Sequence, residues 1–365
     1  MRFLKVLVFT VVLAVLFSCT KKVATYEQTI ENGIKITKNT GVPADSTFKI
    51  ELKEVGFIDN ENETDSSKYL SSADYFDYDE HGNLYILDQS KNKINKYDKD
   101  CKFLLSFGRD GAGPGEFHFP GYFNIRKDTL FLSNWTSLKI IKFDLNGNYL
   151  SDKVITDLYK FPAYPKKFGS NYIYKATTNK FDSEGKMFFV DEVTLYNEKF
   201  DFVKYFSMIE YESKENVDHD PTEFGTKVAF SDSILYLYKN SKDVYKIDVL
   251  NNEGIKIREI RKNFIRTKAS EKDILKYEEF NKKRGTKYKR EFKNSISNLY
   301  VDKYGRLWVA SIDNSEDNLC FDIFKDDIFI NKVLLDIDKG WSYDFVADKI
   351  ISVNSENNNI KIYEY

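Results

Sequence analysis

Phe107-Gly108-Arg109-Asp110-Gly111-Ala112-Gly113-Pro114-Gly115-Glu116-Phe117-His118-Phe119-Pro120 joins two segments that read as the same multi-strand unit. The unit before it carries a turn and strand, Asp79-Glu80-His81-Gly82-Asn83-Leu84-Tyr85-Ile86-Leu87-Asp88, then a polar loop and a second strand, Ile94-Asn95-Lys96-Tyr97-Asp98. Similar units recur to the C-terminus. Their second strands begin near Leu84, Leu130, Ile173, Leu235, Leu307 and Ile350, at intervals of 46, 43, 62, 72 and 43 residues. Six units with a period near 45, two of them expanded, predict an all-β, six-bladed β-propeller with four-stranded antiparallel blades.

The turns repeat with the strands. Glu80-His81-Gly82-Asn83, Arg126-Lys127-Asp128, Ser231-Asp232-Ser233, Lys303-Tyr304-Gly305-Arg306 and Ala347-Asp348-Lys349 precede second strands. Asp98-Lys99-Asp100, Asp144-Leu145-Asn146-Gly147-Asn148, Asn197 to Asp201 and Asn251 to Gly254 follow third strands. These residue types tolerate left-handed backbone or bond their own main chain, as tight turns require. The chain ends in Asn359-Ile360-Lys361-Ile362-Tyr363-Glu364-Tyr365, a third strand with no fourth after it. The alternating segment Phe48 to Val55 is read as the missing partner, closing the ring and removing its free edges.

Phe107-Gly108-Arg109 with Gly111, Gly113, Pro114-Gly115-Glu116-Phe117 and Pro120 resembles the connector of NHL-like six-bladed β-propellers, in particular the lipoprotein propellers common in gut Bacteroidetes. The resemblance covers about residues 47 to 365. It implies the fold and an envelope address, and little chemistry.

Residues 1–18 read as a secretory signal peptide: Arg2 and Lys5 precede an apolar run from Val6 to Phe17 that is short for a membrane span. Leu16-Phe17-Ser18-Cys19 resembles the bacterial lipoprotein signal, in which the cysteine, here Cys19, is acylated and anchors the chain to a bilayer. Thr20-Lys21-Lys22 resembles the start of lipoproteins sent to the outer membrane. Residues 19–46 are polar and read as a lipidated flexible tether, and 47–365 as the propeller.

Without Arg2 and Lys5 the 55 basic side chains become 53, against 57 acidic ones, so nucleic-acid binding is not expected. The 25 Tyr and 30 Phe suit strands, where rings pack on a pleated surface. Cys101 and Cys320 are placed in or beside turns and expected as buried or half-buried free thiols. An insertion spans about 262–295, with Ser270-Glu271-Lys272-Asp273 as a helix capping box, Ile274, Leu275, Tyr277 and Phe280 within reach of one face, and Gly285 as a stop. From Lys282 to Lys293 it carries seven basic residues against one acidic. A solvated helix edge accounts for that charge, with anionic headgroups or a polyanionic saccharide as the functional alternative.

Strand parity puts the glycine-rich connector on the face that also carries Gln89 to Lys93, Asn134 to Ser137, Lys239 to Asp243, Ser311 to Ser315 and Asn354 to Asn358. Arg109, Asp110, Glu116, His118, Asn134 and Trp135 are the candidate ligand-binding residues there: amides offer donors and acceptors, and an indole can stack on a sugar or peptide side chain. Arg109 can clamp a carboxylate, or tie the loop through Asp110 or Glu116. The glycines lack the Gly-Lys-Ser/Thr and following helix of a phosphate loop.

No nucleophile elbow, HExxH run or paired-cysteine metal motif is present. Some NHL-type propellers are metal-dependent lyases with several channel histidines, whereas His81, His118 and His219 are the only three here and parity separates the first two. Asp74, Asp77 and Asp79 alternate on an inner strand and keep calcium open as a ligand, though no cofactor is expected. The resulting expectation is a lipid-anchored envelope propeller that binds a glycan, peptide or partner protein or serves as a scaffold. A metal-dependent lyase or hydrolase with a channel-bound divalent ion is the alternative.

Overall fold

In a computed structural model the described residues are 24–212, 225–231, 233–284, 291–310, 319–337 and 341–365. Met1 to Ser18, Cys19, His219, Gly285 and the loop Ser311 to Ser315 lie outside them, as does the centre of the basic run.

Six sheets follow one another along the chain, each with four antiparallel blade strands that pair in order from the inside out and, except for the outer strand of the sixth, are consecutive in the sequence. Blade 1 is β4 (Tyr75–Tyr78), β5 (Leu84–Asp88), β6 (Lys93–Tyr97) and β7 (Phe103–Phe107). Blade 2 is β8 (Pro120–Arg126), β9 (Thr129–Asn134), β10 (Lys139–Asp144) and β11 (Tyr149–Val154). Blade 3 is β12 (Lys166–Phe168), β13 (Asn171–Phe181), β14 (Met187–Tyr196) and β15 (Phe202–Glu212). Blade 4 holds β16 (Thr226–Phe230), β17 (Leu235–Lys239), β18 (Lys246–Leu250) and β19 (Lys256–Lys262). Blade 5 is β20 (Asn298–Val301), β21 (Leu307–Ala310), β22 (Leu319–Lys325) and β23 (Ile328–Leu335), and blade 6 begins with β24 (Trp341–Val346), β25 (Lys349–Asn354) and β26 (Ile360–Glu364). The second strands thus start within two residues of the positions read from the sequence.

Each blade buries apolar side chains on both faces, because each face meets a neighbouring blade. Six clusters result, one per seam. Between blades 1 and 2, Tyr85, Leu87 and Ile94 pack with Phe123, Leu130, Leu132 and Phe143, and between blades 5 and 6 Trp308, Phe321 and Leu335 pack with Ile350 and Tyr363. Burial of this kind stabilises by roughly 25 cal/mol per Å² of apolar surface.

The N-terminal segment corrects the reading of residues 19–46 as a flexible tether. Its described part holds a hairpin, β1 (Tyr26–Glu31) and β2 (Ile34–Asn39), and β2 adds to blade 4 as a parallel partner of β19, giving a six-stranded sheet. Ile36 and Thr37 are buried there, which explains why a polar-looking segment is ordered: its few apolar groups and its main chain both find partners on one blade edge. The chain then crosses blade 5, where Ala44 and Asp45 donate to the carbonyls of Phe329 and Ile330 at 3.0 and 3.1 Å.

Ring closure uses β3 (Lys53–Ile58), antiparallel to β26 with Ile58 opposite Ile360 and Lys53 opposite Glu364. That strand lies C-terminal to most of the Phe48 to Val55 segment expected to fill the place. Phe48, Ile50 and Leu52 instead pack against the cluster between blades 5 and 6. Residues 26–58 therefore form a strap around the outer rim of blades 4, 5 and 6.

The two expanded intervals have different causes. In blade 3, β13 and β14 are 11 and 10 residues long, against five or six in most second strands, so this hairpin rises roughly 16 Å farther than its neighbours. After blade 4 comes α1 (Glu271–Arg284), capped as read: the Asp273 carboxylate accepts from the Ser270 N–H and hydroxyl at 2.9 and 2.7 Å. Both Cys101 and Cys320 are free thiols, but Cys320 sits inside β22 rather than beside a turn.

Candidate binding site

The connector 107–120 leads from the outer strand β7 of blade 1 to the inner strand β8 of blade 2, over the face that carries the β5–β6 and β9–β10 loops. Its backbone needs glycine at two points. Gly108 has φ +87 and a Cβ there would collide with the Phe117 ring, while Gly111, at φ +153, lies against the Glu116 carboxylate. Around those points the loop is tied to itself. Arg109 bonds Glu116 through Nε at 2.6 Å and Nη2 at 2.5 Å, and Glu116 accepts the Gly113 N–H at 2.8 Å. The Gly113 amide bond, then the Arg109 side chain, hold the Glu116 carboxyl below its ordinary value.

Asp110 and His118 form the second tie. His118 Nδ1 stands 2.5 Å from Asp110 Oδ1, which also accepts from the Asn92 amide at 3.2 Å. Asn92 in turn accepts the Phe119 N–H at 3.0 Å, and the Thr136 hydroxyl donates to the His118 carbonyl at 2.7 Å. These bonds fix the connector to the blade 1 and blade 2 loops.

Of the six residues singled out from the sequence, five lie at the surface of one face and Asn134 does not. Asn134 is buried at the end of β9, donating to the Ser137 hydroxyl at 2.8 Å and accepting from Thr136 at 3.1 Å, so its amide shapes the turn that presents Trp135. Glu116 is likewise occupied within the loop. Trp135 is 45% exposed and rests edge-on against the buried Phe161 at 5.8 Å.

Two exposed rings escaped the sequence reading. Phe119 is 64% exposed, with its ring 4.4 Å from that of His118, and Tyr159, two residues before Phe161, is 83% exposed. Phe119 has φ +47, a left-handed backbone uncommon for a bulky residue. Nothing in the sequence separates these rings from the many that fill seams; the available signal was only their place in connectors rather than strands. Phe119, Trp135 and Tyr159 together give this face ring surface beside the exposed Arg109, Asp110 and His118.

The aspartates considered for calcium serve separate tasks. Asp74 accepts from Gln89 N–H and the Ser72 hydroxyl, Asp77 pairs with Lys167 at 3.0 Å across blade 2 and accepts the Ile125 N–H, and Asp79 holds its own turn. Among the described residues no group of three or more His, Cys, Asp or Glu side chains is placed to hold a metal ion.

A family model described as a 6-bladed beta-propeller, DUF5128, matches residues 44–334. Among solved structures, one described as an exported protein from Bacteroides fragilis is 14% identical, with 90% of this chain and 98% of that one covered and a TM-score of 0.47. A member of the DUF4221 family from Bacteroides vulgatus is 12% identical, covering 93% and 97%, with a TM-score of 0.48. A virginiamycin B lyase from Staphylococcus aureus is 12% identical, covering 86% and 99%, with a TM-score of 0.38. No curated protein matches.

Proposed function

We propose, for a chain that belongs to the DUF5128 family of six-bladed β-propellers, that it is a cell-envelope lipoprotein and binding module whose connector face holds a glycan, peptide or partner protein. One observation carries this reading: Phe119, Trp135 and Tyr159 expose ring surface on one face, beside charged side chains that are held in place by internal bonds. Rings presented on rigid loops bind sugars and peptide side chains at low entropic cost, and bonded polar neighbours supply direction. The envelope address rests on the leader and Cys19, in keeping with the resemblance of the connector to lipoprotein propellers.

The test is binding of the purified mature protein to glycan and peptide arrays. Any ligand found should lose at least about tenfold in affinity with Trp135→Ala or Tyr159→Ala while the melting temperature holds, since a well-packed ring at a binding surface contributes more than about 1.4 kcal/mol. Retained binding in both variants overturns the assignment to this face. Cys19→Ala should release the protein from membranes, and a variant that stays membrane-bound overturns the anchor.

A further inference from the structure

The axial channel is half filled. On the side of blades 1 and 2 it is packed with tyrosines: the Tyr75 ring lies 4.9 Å from Tyr122 and 5.9 Å from Tyr164, and burial, first among causes, raises the hydroxyls of Tyr75 and Tyr122 above their ordinary range. On the side of blades 3 to 6 a cavity of about 390 Å³ remains. Inner-strand residues of four blades line it, among them Lys166 from β12, Lys227 from β16, Tyr300 from β20 and Asp344 from β24, with Tyr164 from the connector before β12 and Lys175 from β13. That volume falls within the range of small-molecule sites.

Charge in this cavity is separated. Lys175 is 3.3 Å from the buried Asp191 and is thereby compensated. Among the described residues, neither Lys166 nor Lys227 has a carboxylate within 4.0 Å. Burial, then the nearby Lys175, pushes the Lys227 ammonium below its ordinary value, with Asp191 offsetting part of the effect. Asp344, on the blade 6 wall, accepts the Phe345 N–H at 2.9 Å and has no cationic partner among the described residues. Lys166 is exposed and Lys227 half-buried, and a half-buried ammonium whose counter-charge is incomplete is costly unless something supplies the rest.

We propose that this channel cavity binds a small carboxylate-bearing, hydroxylated ligand, the chemistry of a sugar acid, its carboxylate facing Lys166 and Lys227 and its hydroxyls facing Tyr164, Tyr300 and Asp344. A carboxylate restores the missing counter-charge. Hydroxyl groups suit both the tyrosines, which donate and accept, and the Asp344 carboxylate, which accepts only. Asp344 also disfavours a dianion such as phosphate, which would meet a like charge across the cavity. Ring faces of Tyr164 and Tyr300 suit the apolar faces of a pyranose. This site is separate from the exposed rings of the connector face, and it stands or falls independently of them.

The experiment is calorimetric titration of the mature protein with glucuronate, glucose and inorganic phosphate at low salt, repeated on Lys166→Met, Lys227→Met and Trp135→Ala variants. Glucuronate should bind at least about tenfold more tightly than glucose or phosphate, the difference one charge-assisted pairing supplies. Each lysine variant should weaken it by a similar factor, and Trp135→Ala should leave it unchanged. Lys227→Met removes a half-buried charge that Asp191 offsets only in part, so its melting temperature should hold or rise, which shows that any lost binding is not lost folding. No binding of glucuronate at millimolar concentration, equal binding of glucose or phosphate, or binding indifferent to both lysine variants overturns the proposal.

Discussion

At the scale of single residues, the fold depends on one turn used seven times among the described residues. Asp79, Asp98, Asp144, Asp182, Asn197, Asn251 and Asp302 each accept, through a side-chain oxygen, the N–H groups of the residues two and four positions on. The residue three positions on is left-handed: Gly82, Cys101, Gly147, Gly185, Phe200, Gly254 and Gly305. In two of these turns, at Asp79 and Asp144, the carboxylate is stabilised as the anion. For Asp79, burial acts in the opposite sense but is outweighed by bonds from Asn83, His81 and Tyr85, and for Asp144 the Asn148 amide leads, so both sit below the ordinary 3.8. A folded value depressed below the unfolded one gives stability that is complete above the unfolded value and lost as pH falls through the folded one. The melting temperature should therefore stay level from neutral pH to about pH 5 and fall below about pH 4, and Asp144→Asn, which keeps an acceptor at every pH, should flatten that fall. An unaltered acid profile in that variant would remove the turns as its cause. All of these turns but the one at Asp182 were legible from their Asp, Asn, Gly and Lys residues, and glycine marked the left-handed position in four of those six. What was not legible is that Cys101 and Phe200 take the left-handed position, because an ordinary side chain at positive φ leaves no compositional trace; Phe200 is held by stacking on Tyr172 at 4.1 Å.

At the scale of elements, strand order was readable because blades repeat, and the strap was not because it repeats nothing. Phe48, Ile50 and Leu52 alternate as a strand does, yet a segment lying across a seam needs the same alternation, one side in and one side out. Only the presence of β26 with an open edge, and the competing alternation at β3, decides between them. The helix α1 shows the converse, a local signal fulfilled without the burial it suggested: its capping box forms, while Ile274 and Leu275 remain exposed. Lys293 joins the cap at 2.9 Å from Asp273, and although burial opposes it, the Ser270 and Lys293 contacts bring the Asp273 carboxyl down to about 2. Ser270→Ala should destabilise the helix by about 1 kcal/mol. Hydrogen exchange over 271–284 should accelerate while the melting temperature of the propeller stays put; a matching loss in both would mean that the helix is part of the ring's cooperative unit. Of the candidate site, the connector was legible through its glycines, whereas the channel lysines were not, because Lys166 and Lys227 lie some 60 residues apart in strands whose sequences give no hint of a shared axis.

At the scale of the whole molecule, six seams carry the stability and the strap links three blades along the rim. Asn39 is its principal fastening: the buried amide donates to the carbonyls of Arg261 in blade 4 and Asp327 beside blade 5 at 3.0 and 3.1 Å, and accepts the Phe329 N–H at 2.8 Å. Asn39→Ala would leave those main-chain groups without partners, at about 1 kcal/mol or more each, so denaturant unfolding should report a loss of about 3 kcal/mol. A loss below about 1 kcal/mol would show the strap to be peripheral. The seam between β3 and β26 also has a meaning in time. Residues 53–58 are made about 300 residues before their partner, 360–364, so at about 5–20 residues per second the first strand waits on the order of 15–60 s as an open edge. The ring is thus a clasp that cannot fasten until residues 360–364 have emerged, and every product that stops short of them carries an unclosed sixth blade.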